Sequence, residues 1–179
     1  YDVDALLGIL ALESQRNRCL LIGEDLGTVP DGIREKLADY GVHSYRVFFF
    51  ETSKVDGGYI SPVDYPVQAM ATLTTHDMPT LIGFWHCDDL RLGRELGIYP
   101  DDQVLQTLYQ GRHESKQRIL DSLHGHKSLP DHIAHDVNWV GMTRELNHGM
   151  QYHMARGASA LLSLQLEDWL EMDKPVNIP

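Results

Sequence analysis

The stretch Leu20-Leu21-Ile22-Gly23-Glu24-Asp25-Leu26-Gly27-Thr28-Val29-Pro30 decides how the rest of the chain is read. A short apolar run ends in two adjacent carboxylates, then a glycine, then a proline suited to the first turn of a helix. A buried parallel strand has this form when it delivers an acidic side chain to a cleft at its C-terminal end. The question for the remaining residues is whether strand, polar tip and helix recur.

Upstream, Asp4 can cap a helix whose apolar positions Leu6, Leu7, Leu10 and Ala11 share one side, ending near Asn17. A strand over 19–23 follows at once, as is common in α/β chains. Downstream, Pro30 opens a second helix with Ile33 and Leu37 on its apolar face and Gly41 as its stop. Residues 45–50 form a second strand, apolar or aromatic except for Arg46, and end in Glu51. The segment 52–67, with Gly57-Gly58, Pro62 and Pro66, is a surface loop. Residues 69–73 form a third strand whose tip is Thr74-Thr75-His76-Asp77, and Pro79 begins a helix through Leu81, Ile82 and Trp85.

The character then changes. Residues 88–96 form a short helix stopped by Gly97, and 101–124 a longer one faced by Val104, Leu105, Leu108, Ile119, Leu120 and Leu123. Residues 125–142 are polar and rich in histidine, and are expected to be a solvated loop. Thr143 caps a helix to about Arg156, and 158–164 is a last strand with Gln165 and Glu167-Asp168 at its tip. The pattern therefore recurs, and parallel strands joined by helices form an open doubly wound sheet or a barrel. Four such strands are about half of a (β/α)8 barrel. Residues 1–179 are expected to be one partial barrel, with 89–157 a mostly helical insertion and no separate second domain.

Composition narrows the partners. A net charge of −11 argues against a nucleic-acid backbone or an anionic membrane surface. No apolar stretch approaches the roughly 20 residues of a membrane span, and no signal peptide is visible. Cys19 and Cys87 lack metal-type spacing, and Cys19, opening an apolar run, reads as a small buried hydrophobe. Two free thiols and a cytoplasmic compartment are the expectation. Residue 1 is tyrosine and the chain stops at Val176-Asn177-Ile178-Pro179, so it reads as a piece of something longer.

Two acidic constellations carry the chemistry. Adjacent residues on a strand point to opposite sides, so only one of Glu24 and Asp25 can face a cleft. A carboxylic acid in a partly apolar site can serve as a general acid near neutral pH, whereas the plainer reading is that both cap the next helix. Asp77 has the same two readings, as a catalytic carboxylate or as the cap of the helix at Pro79. His76 beside it invites a metal or a triad, but neighbours in sequence do not easily bond side chain to side chain. No Gly-x-Ser-x-Gly elbow and no His-x-x-x-His pair supports those readings. The other histidines are scattered, with His124, His126, His132 and His135 clustered in the presumed loop. Phe48 to Phe50 read as core, while Trp85, Trp139 and Trp169 either stack on sugars or pack.

Ile22 to Pro30, with Glu24-Asp25-Leu26-Gly27 at its centre, resembles the signature of the 4-α-glucanotransferases, the amylomaltases or disproportionating enzymes of glycoside hydrolase family 77. Thr75-His76-Asp77, with Thr80 and Gly83-Phe84-Trp85, resembles that family's second acidic motif. Leu164 to Asp168 and Val176 to Pro179 resemble its C-terminal barrel segments, and the long helical insertion resembles that of enteric-type bacterial enzymes.

The resemblance implies an α/β (β/α)8 TIM barrel, of which this chain supplies strands five to eight, with the insertion after strand seven. It implies retaining transfer of α-1,4-glucan segments between maltodextrins, with no cofactor and no metal. By motif match Glu24 is the general acid/base and Asp77 the stabiliser of the transition state. His76 and Asn177 bind the glucan, and Asp25 is a structural neighbour. The family nucleophile, an Asp at the tip of strand four, falls upstream of Tyr1, so the segment alone is expected to be inactive without the remainder of the parent polypeptide. An α-amylase-type hydrolase on the same barrel, a non-catalytic glucan-binding domain and a metallohydrolase using the His-rich loop are the competing readings.

Overall fold

A four-stranded parallel sheet in the order β1-β2-β3-β4 runs through the chain, with β1 at Ile22–Gly23, β2 at His43–Val47, β3 at Ala69–Thr72 and β4 at Leu161–Ser163. The computed structural model describes residues 1–177, so Ile178 and Pro179 of the C-terminal motif lie outside the described residues. Sequence order and spatial order coincide, with Ile22 opposite His43, Arg46 opposite Ala71, and Ala71 opposite Leu162. Because every pair is parallel, all four strands end at the same edge of the sheet.

Helix α1 (Val3–Asn17) precedes β1, and α2 (Ile33–Asp39) joins β1 to β2. Only short 3-10 turns at Phe48–Phe50 and Pro62–Asp64 separate β2 from β3. Between β3 and β4 lie α3 (Leu81–His86), α4 (Asp88–Glu95), α5 (Asp102–Gly125) and α6 (Arg144–Ala155), and α7 (Leu166–Trp169) follows β4.

Local chemistry explains where these elements begin. Asp101 caps α5 by accepting from the Val104 N–H at 2.8 Å, and Thr143 caps α6 by accepting from the Leu146 N–H at 3.2 Å. Three expected starts move. Asp2, not Asp4, caps α1 by accepting from the Ala5 N–H at 3.0 Å, while Asp4 reaches across to Lys36 of α2 and to Tyr40 just past its end. Gly32 is left-handed, with φ +79°, so α2 begins at Ile33 rather than at Pro30. Thr80 caps α3 by accepting from the Gly83 N–H at 3.0 Å, so the helix starts at Leu81 and Asp77 is not its cap.

The strands are shorter than the apolar runs that contain them. The run 45–50 leaves the sheet at Val47 and turns, burying Phe48 and leaving Phe50 exposed. The apolar run before Gly23 lies at the edge of the sheet, where Cys19, Leu20 and Ile22 are exposed, so Cys19 is not the buried residue expected. Cys87 is buried, and both thiols are free.

One core lies between the sheet and the helices that connect β3 to β4. Phe48, Leu73 and Leu81 meet Ile119 of α5 and Leu146 and Met150 of α6 there. Trp85 belongs to the same core and donates its indole N–H to the Val140 carbonyl at 3.1 Å, whereas Trp139 and Trp169 are exposed. A smaller cluster, Cys87, Leu90 and Leu105, joins α4 to the start of α5.

The His-rich loop is less solvated than its composition suggests, because Leu129 and Val137 fold back into the core. The rings of His124 and His135 stack at 3.7 Å. His153 of α6 is 3% exposed, with Nδ1 at 2.9 Å from the Ser128 hydroxyl and Nε2 at 3.3 Å from that of Ser122. No described helix is long and apolar enough to cross a membrane.

Candidate active site

The two carboxylates at the tip of β1 part company, as alternation along a strand requires. Glu24 is exposed at the C-terminal edge of the sheet. Asp25 is buried against α2 and β2. Its Oδ1 accepts from the Tyr45 N–H at 2.9 Å, and its Oδ2 accepts from the Ser44 hydroxyl at 2.8 Å and from Arg34 Nε at 2.9 Å. Burial pushes the Asp25 carboxyl up, but the Tyr45 amide, the Ser44 hydroxyl and the Arg34 charge outweigh it and hold the group below the usual carboxylate range. Asp25 is thus an anion locked into a scaffold, and Glu24 is the exposed acid of the pair. The Tyr45 phenol lies beside Glu24, and burial together with that negative charge pushes it up.

The tip of β3 carries the second constellation. The Asp77 N–H donates to the Thr75 hydroxyl at 3.3 Å, a local turn that presents His76 and Asp77 to solvent. The imidazole Nε2 of His76 lies 3.2 Å from Asp77 Oδ2, so the turn does bring these sequence neighbours side chain to side chain. Asn177 completes the group. Its amide donates to Asp77 Oδ1 at 3.0 Å and to the His76 carbonyl at 3.1 Å, across a hundred residues of sequence.

Glu24 and Asp77 therefore stand on one edge of the sheet, at the ends of strands separated by β2. Strand spacing puts the axes of β1 and β3 roughly 10 Å apart. Among the described residues no group of three or more His, Cys, Asp or Glu side chains is gathered to hold a metal.

Two features escaped the sequence reading. Arg46 of β2 turns to Glu51 at 3.2 Å, and both side chains are largely buried, so the charge inside the second strand is half of an ion pair beneath the tips. The Tyr65 phenol near this pair is pushed up by burial and by Glu51. Asp168, read as lying at the last strand's tip and in a segment resembling the family's C-terminal barrel, is buried at 2% exposure and bonds to both ends of the loop that carries His76 and Asp77. Its position in sequence signalled the edge of the sheet; its partners, almost a hundred residues away, left no local signal.

The family profile described as 4-alpha-glucanotransferase, glycoside hydrolase family 77, matches residues 1–179. A 4-alpha-glucanotransferase of Haemophilus influenzae is 44% identical over 179 residues, which is 100% of this chain and 25% of the relative. One from Mycobacterium tuberculosis H37Rv is 35% identical over 101 residues, or 55% of this chain and 14% of that protein. The crystal structure of amylomaltase from Corynebacterium glutamicum superposes on 100% of this chain and 25% of its own, with a TM-score of 0.84 and 29% identity. The chain thus spans about a quarter of the length of the relatives that match it throughout. With its whole length matched by one profile and the strand-tip acids set on the matching fold, the chain belongs to the 4-alpha-glucanotransferase family, glycoside hydrolase family 77.

Proposed function

We propose that these residues are strands five to eight of the catalytic (β/α)8 barrel of a retaining 4-alpha-glucanotransferase, and that they supply its general acid/base and its transition-state stabiliser. The observation that carries this reading is the parallel sheet itself, which sets exposed Glu24 and the Asn177-braced pair His76 and Asp77 along one C-terminal edge. The segment between β3 and β4 is read as an insertion after strand seven, and residues 1–179 as one partial barrel without a separate second domain.

In this reading Glu24 protonates the glycosidic oxygen as the α-1,4 bond breaks. It later takes the proton from the 4-hydroxyl of the incoming maltodextrin. Asp77 holds ring hydroxyls of the distorted sugar and favours the positive charge that develops at its anomeric carbon. His76 and Asn177 orient the same ring. The nucleophile that forms the glycosyl intermediate lies about 5–5.5 Å from the acid in retaining enzymes and is assigned to the remainder of the parent polypeptide. The substrates are maltodextrins and related α-1,4-glucans, and the net charge of −11 speaks against nucleic acid. The two free thiols support a reducing, cytoplasmic compartment.

The test is maltotriose turnover by the full-length parent protein. Longer oligosaccharides with glucose identify transfer, and shorter products alone identify hydrolysis. Glu24→Gln should lower the rate by at least ~100-fold, on the scale of general acid catalysis. A near-wild-type rate would remove Glu24 from the mechanism and favour a glucan-binding role for the chain.

A further inference from the structure

We infer that Asp168 is a positioning residue for catalysis, its two carboxylate oxygens fastening the two ends of the loop that presents His76 and Asp77. The inference rests on the role proposed above for Asp77. Oδ2 accepts from the Thr74 hydroxyl at 3.0 Å, and Oδ1 accepts from the Leu81 N–H at 2.7 Å. Thr74 lies two residues past the end of β3 and Leu81 begins α3, so one side chain spans the turn that carries the acid.

The clamp is itself anchored. The Asp168 carbonyl accepts from the Gln151 amide of α6 at 3.3 Å, which ties it to the helical layer. Its neighbours add ties to the same loop. Gln165 donates to the Thr74 carbonyl at 3.3 Å, and the Thr80 hydroxyl donates to the Asp173 carbonyl at 3.2 Å. Residues 165–177 after β4 thus form a cradle for the β3 tip, with Asp168 at its base and Asn177 on the acid itself.

The chemistry argues for positioning over stability. At 2% exposure, Asp168 holds a carboxylate away from water with a hydroxyl and an amide as its side-chain partners. Burial and the Glu167 charge push its carboxyl up, against the pull of the Leu81 amide and the Thr74 hydroxyl. Packing alone would be served as well by an apolar residue of similar volume. What the two bonds supply is a fixed loop geometry, and a misplacement of about 1 Å at a reacting group can cost on the order of 100-fold in rate.

The experiment is steady-state kinetics of Asp168→Ala and Asp168→Asn in the full-length parent enzyme, with thermal melting of each variant. Asp168→Ala should lower kcat by about tenfold or more while KM stays within about threefold. Asp168→Asn, whose amide can accept from Leu81 and donate to Thr74, should return kcat to within about threefold of wild type. A folded Asp168→Ala with unchanged kcat, or an Asn variant as impaired as Ala, overturns the inference. Should Asp168→Ala fail to fold, Thr74→Val decides, because it removes one end of the clamp: a several-fold fall in kcat supports positioning, and an unchanged kcat overturns it. Asp77→Asn is measured alongside. If that variant turns over normally, the role of Asp77 falls, whereas normal Asp168 variants beside a crippled Asp77→Asn sink only the clamp.

Discussion

Glu24 and Asp25 are adjacent and chemically alike, and the fold gives them opposite environments. Asp25 spends its acceptor capacity on Arg34, Ser44 and the Tyr45 amide, which fixes the tip of β1 against α2 and β2. Glu24 stands exposed at the sheet edge. His153 shows the same principle for a base. Burial, then the charges of His126 and Arg156, push its pKa down from the ordinary 6.5 to about 4. The imidazole is neutral in the folded state while the unfolded chain takes up a proton below pH 6.5, so stability is complete above that value and falls as the pH drops toward 4. The loss should be about 2–3 kcal/mol across this window. Urea denaturation between pH 7 and pH 4 checks it: His153→Gln should flatten the dependence, and an unchanged slope would assign it to other groups.

Among the elements, the helices were the most legible and the loops the least. Asp101 and Thr143 announce α5 and α6, because a capping side chain acts within three residues of itself. The loop 125–142 hides its buried Leu129 and Val137 behind a polar composition, since what buries them is the face of α5 and α6. Gly149 marks that contact. A Cβ built there would collide with the Leu129 side chain and lie 3.0 Å from the Ser128 carbonyl, so the helix approaches this loop as closely as a glycine allows. Gly149→Ala should destabilise the chain by about 1–3 kcal/mol despite its better helix propensity, because overpacking outweighs the gain. Thermal melting of the pair would show it, and a stabilised variant would mean the loop yields freely. Helix α1 went the other way. Of the expected apolar face, Leu7 is buried, Leu6 and Leu10 are exposed, and Ile9 is exposed as well.

At the scale of the whole molecule, that exposure gathers at one end. Leu6, Ile9, Leu10 and Leu12 of α1, Leu20 just before the edge strand β1 and Ile22 within it are all at least 40% exposed. An unpaired parallel edge beside exposed leucines is a template for association. The 179 residues expressed alone should therefore self-associate. Sedimentation velocity and a melting curve decide this, and a monomer with one cooperative transition would contradict it. Under the proposed mechanism the same chain alone should give no turnover of maltotriose, because the nucleophile is assigned to the remainder of the parent. Measurable disproportionation would show that the residues present suffice.

Sequence by itself determined the alternation of strand and helix, the acids placed at strand tips and the family to which the motifs point. These depend on period, caps and turn residues, all of which act over a few positions. Tertiary structure decided which acid of Glu24-Asp25 is exposed, that Asn177 and Asp168 bond to the turn around Asp77, and that His153 is buried neutral. Each of those depends on groups brought together by parallel pairing and core packing from tens of residues away, and such partners leave no mark on the local pattern. The strand-tip edge was visible in the residues 20–30; the cradle around the β3 tip exists only once β4 lies beside β3.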